Sequence, residues 1–387
     1  MNTAADLRSG TWPATSLPYG EDHQIFRDSA RRFFETECVP HREAWDDAGM
    51  APREIWKRAG DLGFLGPRIG EAFGGSGGDL LHGVAAVEEQ VRAGVIAPLL
   101  WVHNDIVAPY VVQYGTPEQK LAILPKMACG ELVGAAALAE PGTDGDPLAI
   151  RTQARCESGD YVISGRKTFV ANGATADLVV VSARTASGIS LFVVPTEGLT
   201  GFSRGPLLDK LGQRSADTAD LLFDKVRLPV ASLLGGQEGQ GLTQVNERLV
   251  EEQLMMGVGA VALMEAAIEH TVVYTRERKA FGHRIIDFQN SRFRLAEART
   301  EAAVCRVFLE RCITRFMQGR LGFSEAAMLK WWSTEKQCQI VDQCLQLHGG
   351  YGYMLEFPIS RMWLDGRGAR IWGGANEITK DTIGRAL

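Results

Sequence analysis

Residues 241–282 read GLTQVNERLVEEQLMMGVGAVALMEAAIEHTVVYTRERKAFG. The stretch has no proline, and Leu249, Gln253, Met256, Ala260, Met264 and Ile268 recur every three to four residues, the period of a helix with one buried face. It reads as one long helix. Its start carries an acid beside a base, Glu247-Arg248, and its end carries Arg276, Arg278 and Lys279 before Phe281-Gly282. Glu247 and Arg278 are 31 positions apart. At about 1.5 Å per residue, a continuous helix separates them by roughly 46 Å. One small-molecule site cannot span that length. If both residues serve the same kind of site, they do so in different copies of it, which requires at least a dimer.

The chain around this helix has 387 residues, 45% of them hydrophobic and 23% charged, enough for two or three subdomains with a large core. A net charge of -6 and a pI near 5.8 argue against a nucleic-acid partner, which needs clustered cations over a surface. Seven cysteines with no C-x-x-C pair form neither a disulfide framework nor a zinc site and suggest a reducing compartment. The first twenty residues have no apolar core and resemble neither a signal peptide nor an arginine-rich transit peptide. No uninterrupted apolar run approaches the length of a membrane span. A soluble cytoplasmic protein is the expectation.

Three regions follow in order. Residues 1–130 are helical from about residue 21, with Phe26, Ala30, Phe33 and Phe34 on one stripe and Thr116-Pro117-Glu118 as a helix start. Residues 131–235 turn into short β-type runs, among them DLVVVSA and ISLFVVP, separated by Gly, Asp, Ser and Pro turns. Residues 236–387 are helical again: the long helix, a second from about Gln289 to Gln318, a third from Ser324 to Leu347, and a short terminal one. The fold class is α+β, mostly α.

Gly74-Gly75-Ser76-Gly77-Gly78 matches G-x-S-x-G, but no strand precedes the serine as a nucleophile elbow requires, so it reads as a flexible turn. No dinucleotide fingerprint, phosphate-binding P-loop or H-E-x-x-H occurs. What remains are glycine-rich junctions at His348-Gly349-Gly350-Tyr351-Gly352 and Trp372-Gly373-Gly374-Ala375-Asn376-Glu377. Such glycines let a ligand approach backbone N–H groups, or simply cap helices.

Together with Leu138-Ala139-Glu140-Pro141 and Asp146, Gly165-Arg166-Lys167 through Asn172-Gly173, Asp217-Thr218, Arg278 to Gly282 with Gln289, and Gln346 to Gly350, these junctions resemble the acyl-CoA dehydrogenase family over nearly the whole chain. The resemblance implies an N-terminal α-helical domain, a central β-barrel-like domain, a C-terminal four-helix bundle, and FAD between sheet and bundle. It also implies a dimer-based tetramer, with Arg278 on the pyrophosphate of a neighbouring subunit's FAD. Phe281, Gln289, Gln346, Leu347, His348, Gly349, Gly350, Ala375, Asn376 and Glu377 would complete that shared site, and Leu138, Ala139, Phe169 and Ala171 would surround the flavin ring.

The reaction so implied is α,β-dehydrogenation of an acyl-CoA thioester, with electrons passed to an electron-transfer flavoprotein. Many relatives carry the catalytic glutamate after an aromatic residue in the last loop, where this chain has Gly373 after Trp372. In the long-chain and isovaleryl branch the base precedes an arginine at the start of the long helix, which points to Glu247-Arg248. Gly373 would offer its N–H to the thioester oxygen, with Gly145, Arg248, Trp372 and Gly374 also at the substrate. Ala139 and Ala171 stand where many relatives have threonines, and Glu251 and Glu252 where relatives carry small or apolar residues. A non-catalytic subunit paired with a paralogue, and a flavin oxidase or monooxygenase, are the alternative readings.

Overall fold

The computed structural model describes residue 12, residues 14–143 and residues 145–387. Residues 1–11, on which most of the leader-peptide reading rests, lie outside the described residues. Six helices come first: α1 (Glu21–Phe33), α2 (Arg42–Ala48), α3 (Arg53–Asp61), α4 (Leu80–Ala93), α5 (Ala108–Tyr114) and α6 (Pro117–Ala128). The start of α6 is the one its sequence signals. Thr116 Oγ1 accepts the Gln119 N–H at 3.2 Å while Gln119 Oε1 accepts the Thr116 N–H at 3.0 Å, a reciprocal cap. Ser76 lies in the turn between a 3-10 segment (Glu71–Phe73) and α4, with no strand before it.

Seven strands follow: β1 (Gly134–Ala137), β2 (Gln153–Glu157), β3 (Asp160–Ala171), β4 (Leu178–Thr185), β5 (Gly188–Pro195), β6 (Phe202–Leu207) and β7 (Thr218–Pro229). They form one curled sheet in the order β1-β4-β2-β3-β7-β6, with β5 also on β4. The continuous apolar run of β4 has a simple cause. Leu178 and Val180 pack with Val107, Val111 and Met127 of the helical region, whereas Val179 and Val181 pack with Phe192, Leu221 and Phe223 inside the sheet. Alternate residues of one strand therefore serve two cores.

Helix α7 (Gly241–Glu277) is followed by a two-stranded hairpin, β8 (Lys279–Ala280) and β9 (His283–Arg284), then α8 (Gln289–Met317), α9 (Phe323–His348), α10 (Pro358–Gly366) and α11 (Asn376–Arg385). Helix α7 is central: Leu254, Val258, Val261 and Ile268 share one core with Leu81 and Val84 of α4, Ala302 and Leu309 of α8, and Leu329 and Val341 of α9. By length and composition α7 could pass for a membrane span, but 67% of the qualifying window is buried inside the protein. Its hydrophobicity serves the bundle.

A buried ion network also joins the helices. Glu88 of α4 bonds Arg27 of α1 at 2.7 Å and Arg306 of α8 at 2.6 Å, and Arg306 continues to Glu265 of α7 at 2.8 Å. Burial opposes ionisation of Glu88, but Arg306 and Arg27 outweigh it and hold the carboxyl at about 2. Because this folded value lies below that of an unfolded glutamate, the stabilisation is fully present above about pH 4.3 and is lost as pH falls through about 2. Urea melts should therefore show stability falling across that window. Glu88→Gln should flatten the slope and destabilise the fold at neutral pH, by less than a fully stranded charge would because Arg27 keeps Glu89 and Arg306 keeps Glu265.

Candidate active site

The site is built where α7, α9 and the loop before α11 meet. Gly373 and Gly374 have φ of 63° and 87°, a region that glycine enters without a Cβ penalty. Space matters as much as conformation at Gly373: a Cβ there would strike the Met256 sulfur and come within 3.5 Å of Glu252 Oε1. Met256 thus holds the volume that a side chain at position 373 would otherwise take, and Glu252 lies beside it. Burial pushes the Glu252 carboxyl up to about 7, and the attraction of Lys330 stops it rising further.

Lys330 of α9 is fully buried, and its Nζ donates to Gly374 O at 2.6 Å and to Asn376 Oδ1 at 2.9 Å. Burial draws its ammonium down to about 8, against the attraction of Glu252 and Glu377. The Asn376 side chain is engaged by this anchor and by Thr334, so it fixes the loop.

Glu247 lies elsewhere. It is exposed, and accepts the Tyr114 hydroxyl at 2.5 Å and the Gln113 amide at 3.4 Å. Arg248 turns to Glu251 at 2.8 Å, and Glu251 is also bonded by Arg68. Glu251 is therefore buried between two guanidiniums. Arg248 and Glu251 line a separate cavity of about 270 Å³. The acid-base pair that the sequence singled out is thus absent from the last loop, and Glu252, followed by Gln253, is present. The reason is rotation about α7: Glu252, Met256, Gly259 and Leu263 stand at i, i+4, i+7 and i+11, on one face. An acid at the head of that apolar stripe was the available signal.

The same face opens on a cavity of about 230 Å³, walled by Val87, Val91, Met256, Gly259 and Leu263 and reaching Trp372. Gly145 lies against α11, where its Cβ would be 3.1 Å from Ile378. On the sheet side, β3 breaks register between Lys167 and Val170, and Phe169 at φ 55° stands 73% exposed. The Thr168 N–H donates to Ala139 O at 3.0 Å, which brings the end of β1 beside this bulge. Leu138, Ala139 and Ala171 are incompletely buried there.

At the other end of α7, Arg278 caps the helix over the Tyr351 ring at 5.2 Å and makes no ion pair among the described residues. Phe281 is 94% exposed, and Gln289, Gln346, Gly349 and Gly350 are exposed with it, as is Glu377 on α11; Leu347 and Ala375 are half-buried. His348 differs: it is buried, stacked on Tyr274 at 4.2 Å, with Nδ1 on Cys344 O at 2.9 Å. It anchors the glycine turn from behind. An aromatic ledge on the sheet, a glycine loop on the bundle and a free guanidinium fit a flavin dinucleotide, whose ring is flat and whose pyrophosphate is anionic.

Comparison with known proteins agrees with this arrangement. The family descriptions "Acyl-CoA dehydrogenase, N-terminal domain", "middle domain" and "C-terminal domain" match residues 20–131, 135–226 and 239–387. The mitochondrial long-chain specific acyl-CoA dehydrogenase of Rattus norvegicus is 41% identical over 376 residues, covering 95% of this chain and 87% of its own. The crystal structure of an acyl-CoA dehydrogenase from Geobacillus kaustophilus superposes with a TM-score of 0.94 at 39% identity, covering 97% of this chain and 100% of that one. A Bacillus anthracis acyl-CoA dehydrogenase complexed with FAD gives 0.90 at 28% identity, covering 96% of this chain and 67% of that one. The fold and site therefore define an FAD-dependent oxidoreductase. The chain belongs to the acyl-CoA dehydrogenase family.

Gly373→Ala tests the packing of the loop. A left-handed alanine costs about 1–2 kcal/mol, and displacement of Met256 adds to it. Urea melts should show a loss of that order or more, whereas Gly384→Ala, where a Cβ meets nothing within 4 Å, should lose far less.

Proposed function

We propose that this enzyme oxidises an acyl-CoA thioester to the trans-2-enoyl-CoA with Glu252 as the α-proton acceptor. The observation that carries the reading is the position of Glu252, one turn before Met256 of the cavity wall and beside Gly373, with its carboxyl raised to about 7. A base with that affinity is poised to take a weakly acidic proton near neutral pH. The Gly373 N–H supports the thioester oxygen as negative charge gathers there, a donation that needs no side chain. Trp372 closes the cavity beside the reacting carbons. FAD, when bound, supplies the hydride acceptor. Leu138, Ala139, Phe169 and Ala171 would hold its ring, with Ala375 and Glu377 at the edge of the same site.

Arg278 stands 26 positions from Glu252, roughly 39 Å along the helix. It therefore serves the FAD of a second copy, together with Phe281, Gln289 and the run Gln346 to Gly350. This distance and the exposure of Phe281 support a homo-oligomer, a dimer of dimers on the family pattern. The physiological acceptor is an electron-transfer flavoprotein, and the seven unpaired cysteines suit a cytoplasmic setting. The buried base disfavours a purely structural subunit, which would gain nothing from it.

Anaerobic bleaching of the flavin by a panel of acyl-CoAs tests the assignment. Glu252→Gln should retain FAD and lose about a hundredfold or more in the bleaching rate, while Glu247→Gln stays near wild type. The reverse result would return the role to Glu247. Because only the ionised carboxyl accepts a proton, kcat/KM should rise with pH through about 7. Lys330→Met removes the cation that favours ionisation and should move this limb to higher pH.

A further inference from the structure

The cavity that opens at Met256, one turn along α7 from Glu252, does not end in hydrocarbon. Its wall follows α7 from Met256 to His270, which are 14 positions and so roughly 21 Å apart. At the far end the lining is polar, with His270, Arg42 of α2, Gln213, and Arg361 and Asp365 of α10. Several of these groups are engaged. Asp365 Oδ1 accepts the Gln213 N–H at 2.5 Å, and Arg361 donates to Leu355 O. Glu43 and Asp46 also act on Arg361 from α2, and Asp46 accepts the Ser215 N–H at 3.1 Å.

Two of the lining groups make no hydrogen bond among the described residues, although the charge of Arg42 acts on Asp365. Arg42 makes no hydrogen bond or ion pair among the described residues, and its Nε is buried. His270 is half-buried and likewise has no hydrogen bond among the described residues. A methyl group arriving here would strip their water and return nothing, at about 1–3 kcal/mol for each group left unmet. An oxygen atom reaching either group would give it a partner.

We propose that the substrate is a long-chain acyl-CoA whose far end carries an oxygen function, a hydroxyl or a carboxylate, read by Arg42 and His270. The proposal rests on the dehydrogenase reading above and adds a specificity to the same site. Gly259 keeps the route open: a Cβ there would meet only Val87, at 3.9 Å, so a glycine sets the width of the passage.

The test compares kcat/KM for octanoyl-CoA, palmitoyl-CoA, ω-hydroxypalmitoyl-CoA and the ω-carboxyl analogue of equal length. One oxygenated analogue should exceed palmitoyl-CoA by about tenfold, the equivalent of one satisfied polar group, and which of the two gains more identifies the terminus. The ratio should collapse toward one in Arg42→Met and be partly kept in Arg42→Lys. Gly259→Leu should slow all three long substrates and spare octanoyl-CoA. Turnover of palmitoyl-CoA equal to that of both analogues, or a gain that survives Arg42→Met, would overturn this proposal alone. An enzyme inert to every thioester, octanoyl-CoA included, would overturn the dehydrogenase reading and this proposal with it.

Discussion

Met256 of α7, one turn beyond Glu252, and the loop before α11 can pack together only because position 373 has no side chain. That exclusion organises the site. Any Cβ at Gly373 would drive Met256 aside while only touching the Glu252 carboxyl; the acid stands on the helix and the bare backbone on the loop. The helix is the stiffer support, because α7 is buried among α4, α8 and α9, and groups held on packed elements keep their geometry better than groups on loops. The loop is held in turn by Lys330, whose ammonium is fixed by Gly374 O and Asn376.

The electrostatics follow from the same arrangement. Burial favours the neutral forms of both Glu252 and Lys330, and each partly restores the charge of the other. Desolvation wins for both groups, so the carboxyl rises and the ammonium falls. At Glu88 the balance is reversed: two guanidiniums in direct contact overcome burial and hold the carboxyl far down. Distance to the cation separates a base from a structural anion. Glu88 bolts α1, α4 and α8 together, while Glu252 is left available.

Much of the fold was legible in the sequence because it rests on periodicity. The long helix, the start of α8 at Gln289, the cap at Thr116 and the strands around DLVVVSA all follow from patterns with a local cause. The site was less legible. Glu247-Arg248 carried the expected pair of residue types, but a pair does not reveal which side of a helix it faces. Only packing shows that Glu247 meets Tyr114 and that Glu252 meets the glycine loop. Lys330, Asn376 and His348 show the same limit. Their roles arise from contacts between distant segments, and composition alone does not distinguish a buried anchor from a ligand contact.

The most direct measurement is the washout of α-deuterium from a labelled acyl-CoA into water, followed by mass spectrometry on the intact holoenzyme and its single variants. If Glu252 is the base, washout proceeds in wild type and in Glu247→Gln and disappears in Glu252→Gln. Washout that persists in Glu252→Gln, or that vanishes with Glu247, would contradict the account.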